Sequence, residues 1–213
     1  APNLLDREFE CYGPRLVLLT DITYIPWGGS FLYLCVIMDA YTKQVLSYAL
    51  SPSLEVDFVL DAVNTLIREH GVSLHAETVI HSDQGCHYTS CKFIELVERH
   101  DLRRSMSRKG NCWDNAPQES FFGHMKDLID LTGDLFFDEV QAVIDDYMSY
   151  YNTERYQWDL AKLSPDEYFS FITTGVYPLE LPNKPSPPAI PKSPNELGAS
   201  SFQQEIASNP LIP

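Results

Sequence analysis

Three acidic side chains, Asp21, Asp83 and Glu119, stand where the surrounding sequence is otherwise apolar or turn-forming. Asp21 interrupts RLVLLTDITYI, residues 15–25, a run apolar on both alternating faces and bounded by Gly13-Pro14 and Pro26. Such a run reads as a strand buried inside a sheet, where a carboxylate is costly unless its charge is compensated. Asp83 ends the short apolar segment ETVIHSD and precedes Gln84-Gly85; ligands of open α/β sheets gather beyond the carboxyl ends of strands. Glu119 falls in the first turn of an amphipathic helix with the stripe Phe121, Phe122, Met125, Leu128 and Ile129. Taken singly, each has an ordinary explanation: a hydrogen-bonded buried aspartate, a turn aspartate, a solvated helix face. Taken together, oxygen donors of this kind suit Mg²⁺ or Mn²⁺. Two such ions about 3.5–4 Å apart can activate an attacking oxygen and stabilise a leaving one on phosphorus.

Basic and aromatic residues lie close by in the sequence. Lys126, seven positions beyond Glu119, returns to within about 20° of it on a helix, so ammonium and carboxylate project together and the former suits a phosphate contact. Residues 103–109 hold Arg103, Arg104, Arg108 and Lys109 and no acid. Trp113 in the following stretch reads either as a stacking surface for a base or as a core anchor.

The elements that must position these residues are legible from periodicity. After the run at 15–25, Gly28-Gly29 turns the chain into FLYLCVIMDAYT (31–42) and QVLSYAL (44–50), an antiparallel meander. Residues 54–70 then place Val56, Leu60, Val63, Leu66 and Ile67 on one helical face, with Ser53 as N-cap and Gly71 as the stop. A strand at 77–83, a helix over 90–100 and a strand over 102–106 complete the order βββαβαβ. SRKGNCWDN (107–115) feeds a third helix marked by Asn115 and Gln118 at capping-box spacing, with Pro117 in its first turn. A fourth helix over 137–152 buries Val140, Val143, Ile144, Tyr147 and Tyr151. Residues 1–13 form a lead-in, 14–170 the core, and 171–213 a tail that is extended or disordered, with nine prolines from 178 onward.

Composition sets bounds. A chain of 213 residues with 44% hydrophobic content supports one substantial core. No stretch approaches the roughly 18 apolar residues of a membrane span, and the start lacks signal-peptide order. Five cysteines without a C-x-x-C pair argue against a disulfide framework, so a cytoplasmic location is expected. Cys86, His87, Cys91 and Cys112 lack the spacing of a zinc ribbon or finger. The net charge of -15 speaks against a nonspecific DNA binder. It is unevenly placed: residues 127–167 hold eleven acids against Arg155 and Lys162.

The segments LLTDITYIP, IHSDQGCHYTS and SMSRKGNCWDNAPQESFFGHMK closely resemble the catalytic region of bacterial insertion-sequence transposases with a retroviral-integrase-type core. Thirty-five residues separate Asp83 from Glu119, as in that family's D,D(35)E pattern. YYNTERYQWDLAKLSPDEYF resembles its closing signature, so the likeness runs from about residue 14 to 170. The resemblance implies a ribonuclease-H-like fold, a five-stranded mixed sheet flanked by helices. It also implies that Asp21, Asp83 and Glu119 hold two Mg²⁺ ions, that water cleaves DNA at the element's ends, and that the freed 3′-hydroxyl attacks target DNA. Lys126 matches a family position that contacts DNA, and Asn115 and Arg155 match supporting positions; Arg104, Arg108 and Lys109 of the basic strip, read from charge alone, offer further DNA contacts. The partners implied are element ends, target DNA and further copies of the chain. A transposase-derived regulatory protein and a nuclease without strand joining are the alternatives, the first motivated by the acidity. The acidity and the proline-rich tail depart from the family's pattern.

Overall fold

The computed structural model describes residues 12–107, 116–180 and 182–190. Three strands form the meander: β1 (Val17–Trp27), β2 (Ser30–Asp39) and β3 (Val45–Ser51). Helix α1 (Asp57–His70) crosses back to β4 (Val79–Ser82), and α2 (Cys91–Arg99) leads to β5 (Arg103–Met106). The spatial order is β3-β2-β1-β4-β5, with β1 antiparallel to β2 and parallel to β4. The sheet is therefore five-stranded and mixed, as expected, and β1 lies at its centre.

Alternation along β1 sorts the two faces. Leu18 and Ile22 join Cys35, Ile37 and Ile80 under α1 and α2, whose Phe58, Val59, Val63, Leu66, Phe93 and Val97 close that layer. Ile25 faces the other way, with Leu32, Leu34, Val36 and Met38, against α3 (Ala116–Leu128) and α4 (Phe137–Thr153). Fully burying a Leu or Phe side chain stabilises by about 1.5–3 kcal/mol, so the two layers together hold the sheet.

Several helix limits differ from expectation for identifiable reasons. The Ser53 hydroxyl accepts from Glu55 N at 3.4 Å, in the turn before α1. The helix then starts at Asp57, with Val56 at the cap and no side-chain cap bond. Gly71 does end α1, but in a right-handed conformation (φ -52°) that continues into the short 3₁₀ turn Gly71–Ser73. In α3, Leu128 is exposed rather than part of the buried stripe. In α4, Val143 is only half-buried and Met148 is buried in addition to the expected residues.

A fifth helix, α5 (Pro165–Thr174), was not anticipated, and packed chain continues past residue 170. Ser164 and Glu167 form a capping box at its start, and Gly175 at φ 76° ends it. Phe171, Ile172 and Tyr177 bury with Leu160, Leu163 and Tyr168. Residues 178–180 and 182–190 carry no helix or strand.

A buried polar network ties α5 to the sheet. Asp39, wholly buried, accepts from Arg15 N (3.2 Å) and from the Thr42 hydroxyl (2.6 Å). Arg15 Nη2 donates to Gln44 Oε1 at 2.9 Å, Gln44 Nε2 donates to Asp166 Oδ1 at 2.7 Å, and the guanidinium lies 4.7 Å over the Phe169 ring. Burial pushes the Asp39 carboxyl up and the Arg15 guanidinium down from their ordinary ranges, and the opposite charges work against both shifts. Removing one partner leaves a buried charge uncompensated. Asp39→Ala is expected to lower the unfolding free energy by about 3–5 kcal/mol in chemical denaturation, and a loss below about 1 kcal/mol would show that the network does not act as a charge pair.

Candidate active site

The register of β1 on β4 places the first two carboxylates. Val17, Leu18 and Leu19 pair with Val79, Ile80 and His81. Asp21 lies two residues beyond Leu19 within β1, and Asp83 two residues beyond His81, one position past the end of β4. In the antiparallel pair Asp21 opposes Val36, whose side chain belongs to the α3–α4 layer. Register partners point to one face, so Asp21 faces α3. One step back, His81 is fully buried, with Nδ1 2.9 Å from Ser105 Oγ.

Local hydrogen bonds orient each aspartate. Asp21 Oδ1 accepts from Ile22 N at 2.8 Å. Asp83 Oδ1 accepts from Gly85 N at 2.8 Å in an Asx-type turn. A Cβ on residue 85 would sit 2.8 Å from that same oxygen, so only glycine leaves the carboxylate its place. The turn continues through Tyr88 N and Thr89 N, both donating to Gly85 O, into α2, where Ser90 caps Phe93 N. On the far side, Ser107 N donates to Ser82 O at 2.9 Å and Gln84 Nε2 donates to Ser107 O at 3.0 Å, fixing the chain where β5 ends.

Glu119 enters from α3, exposed in its first turn. Its neighbour Gln118 is fully buried and donates from Nε2 to Val36 O at 2.8 Å. That bond fixes the start of α3 on the residue facing Asp21. Gln118 thus directs its donor to the sheet rather than to a capping box, and Asn115 lies outside the described residues. Sequence reasoning missed this role, although Gln118 precedes Phe121, Phe122 and Met125 at helical spacing on the buried face.

Beneath Asp21, on the opposite face, Thr20 Oγ1 lies 3.2 Å from Tyr88 Oη and 3.6 Å from Cys35 Sγ. Burial pushes the Cys35 thiol up to about 12, with the Asp21 charge adding to the shift. Tyr88 is raised for the same reasons, burial first.

The remaining expected residues are dispersed. Lys126 is exposed in the last turn of α3. Arg104, with its side chain 22% exposed, is held 3.4 Å from Glu98, so its expected DNA contact competes with an existing pair. Arg108, Lys109, Cys112 and Trp113 lie outside the described residues. Among those described, no three His, Cys, Asp or Glu side chains form a group able to hold a metal ion, Cys86, His87 and Cys91 included. Asp21 lies within β1, Asp83 just past the end of β4, and Glu119 on α3. The donor chemistry still fits a hard divalent cation: the three are oxygen ligands, and the glycine cradle leaves the Asp83 carboxylate clear.

A central parallel pair within a five-stranded mixed sheet, with helices on both faces, defines a ribonuclease-H-like fold. Two models described as integrase core domain match residues 12–112 and 100–165. A putative transposase InsK for insertion sequence element IS150 of Escherichia coli (strain K12) is 34% identical over 169 residues, covering 79% of this chain and 59% of the relative. An uncharacterized transposase-like protein of Haemophilus influenzae is 35% identical over 173 residues, covering 79% and 77%. The chain belongs to the integrase-core transposases of bacterial insertion sequences. It spans about three-fifths of the length of InsK. Among solved structures, the simian T-cell lymphotropic virus intasome bound to PP2A regulatory subunit B56 gamma superposes with a TM-score of 0.64 at 16% identity, covering 80% of this chain and 59% of that one. The HTLV-2 integrase catalytic core in complex with magnesium, in its trimeric form, gives 0.56 at 14%, covering 73% and 96%. These two likenesses concern the fold alone.

The thiols give a direct check on this geometry. With brief alkylation of the native protein at pH 8, Cys35 is expected to stay unmodified, because it is buried and its thiolate is suppressed. Cys86 and Cys91, both exposed, should label. Labelling of Cys35 at the rate of the other two, read by peptide mass mapping, would contradict the packing beneath Asp21.

Proposed function

We propose that the chain is the catalytic core of a DNA transposase, in which Asp21, Asp83 and Glu119 are the ligands of two Mg²⁺ or Mn²⁺ ions. The observation that carries the reading is the parallel pairing of β1, which holds Asp21, with β4, which leads directly into Asp83, on a sheet whose Val36, opposite Asp21, is bonded by the helix that bears Glu119. The magnesium in the HTLV-2 core and the intasome assembly of the simian virus protein support it by analogy of fold. Bound ions would supply charge for the attacking and leaving oxygens on phosphorus.

The reaction has two displacements. Water attacks the phosphorus at the element's end, the bond to the 3′ oxygen breaks, and that oxygen leaves as a 3′-hydroxyl after taking up a proton. The hydroxyl then loses its proton as it attacks a phosphodiester of the target, and the target's own 3′ oxygen departs. The protein's part is placement. Asp21 is held within β1 and Asp83 in the turn that follows β4, and Lys126, two turns along α3 from Glu119, contacts a backbone phosphate as a point charge. Arg104, Arg108 and Lys109 form a second stretch of phosphate contacts, Arg104 exchanging Glu98 for DNA. Because two element ends must be held together, the active form is an oligomer of this chain on DNA. It works in the bacterial cytoplasm on chromosomal or plasmid DNA, and no helix of the described residues is long and apolar enough to cross a membrane.

A strand-transfer assay tests the reading: duplexes carrying the labelled ends of the encoding element are incubated with the protein, Mg²⁺ and target DNA. Joined product is expected, and Asp21→Asn should abolish it with the fold unchanged by circular dichroism. Hydrolysis without joining would point to a nuclease; no product at all, or wild-type joining by Asp21→Asn, would overturn the assignment. Gly85→Ala should reduce joining about 100-fold by displacing the Asp83 carboxylate, and full activity would mean the cradle is dispensable. Lys126→Ala should lower the salt slope of DNA binding by about one; an unchanged slope would remove the phosphate contact.

A further inference from the structure

The start of α3 carries a polar side chain that packing does not require. Gln118 sits on the apolar stripe with Phe121, Phe122 and Met125, and its residue is 0% exposed. Its Nε2 donates to Val36 O at 2.8 Å, while its Oε1, equally buried, has no partner among the described residues. A buried acceptor left unsatisfied costs at least as much as an ordinary hydrogen bond contributes. On balance Gln118 does not stabilise this interface relative to an apolar side chain of similar volume. The rest of the stripe offers little axial precision, because hydrophobic burial is non-directional. Among the described residues, the directional contact from the helix start to the sheet is therefore made one residue before Glu119, onto the register partner of Asp21.

We infer that Gln118 is the positioning residue of the third carboxylate: its bond to Val36 sets the height and rotation of α3 so that Glu119 is presented to Asp21. The inference rests on the metal-site reading above. It predicts a separation between stability and metal affinity that a purely structural residue would not give. Gln118→Met keeps volume and flexibility, removes the unsatisfied oxygen, and loses the directional bond.

The experiment compares the full chain with Gln118→Met and Glu119→Gln, measuring Mn²⁺ affinity by the EPR signal of free Mn²⁺ and Tm by thermal melting. Gln118→Met is expected to weaken Mn²⁺ binding about tenfold or more, the range seen for residues that orient metal ligands, with Tm equal to or above wild type. Wild-type affinity in Gln118→Met, alongside weakened binding in Glu119→Gln, would overturn the positioning role and leave the metal site standing. A loss of affinity accompanied by a matching fall in Tm would likewise overturn it, in favour of packing alone. Mn²⁺ binding by Glu119→Gln equal to wild type would remove the metal-site reading, and the positioning role with it.

Discussion

The parallel pairing of β1 with β4 is the constraint on which the rest of the molecule depends. A parallel neighbour cannot be reached by a tight turn; it needs a crossover, and here the crossover is α1. Once α1 lies across the sheet, its buried face and that of α2 close one layer, and the opposite face is left for α3 and α4. The same pairing fixes a register, and side chains alternate with a period of two. A slip of one residue would turn the side chains of one strand to the wrong face. Burial protects the register: Leu18 and Ile80 are directly paired and both lie in the α1–α2 core, so a slip would expose one of them and bury a polar residue.

Two kinds of polar group in the core serve different ends. The Asp39–Arg15–Gln44–Asp166 chain joins the far end of β2, the start of β1 and α5. It gives the C-terminal helix a specific seat that the small cluster around Phe171 would not define by itself. Arg15 adopts φ 65° there, a left-handed conformation costing a non-glycine residue about 1–2 kcal/mol, and its backbone N–H bond to Asp39 holds it. At the other end of the sheet, Gln118 and the Asp83 turn use single directional bonds, which fix position rather than add much stability.

Legibility in the sequence followed the strength of the local signal. The doubly apolar run around Asp21 and the Gly28-Gly29 turn each had one dominant physical meaning, and the structure keeps both. Ser53 misled because a serine hydroxyl can bond two residues on just as well as cap a helix. Helix α5 escaped because it is short, although Ser164 and Glu167 stand at capping-box spacing with Pro165 at its first position. Of the site, residue types and chain spacing were legible, whereas adjacency was not: nothing local to residues 17–27 or 79–82 states that these two strands pair. Gln118 was legible only as a helix-start residue, since the carbonyl it binds lies 82 positions away in sequence.

The acidity of the chain bears on the proposed chemistry differently once the acids have positions. Asp138 and Glu139 occupy the first turn of α4, where the helix dipole favours negative charge, and Asp145 accepts from Tyr48 and Gln141 at 2.7 Å each. These acids have structural partners on a helix that packs against β3, the edge strand farthest from β4. Exposed charges separated by more than the Debye length, about 8 Å at physiological salt, are largely screened. Total charge is therefore a poor measure of the field around Asp21, Asp83 and Glu119, the acids that a phosphate would meet on the proposed reading. Two divalent cations more than offset three carboxylates. On the proposed reading, the site that most strongly repels DNA without metal attracts it with metal, so engagement of DNA at the active site is gated by the same ions that enable the chemistry.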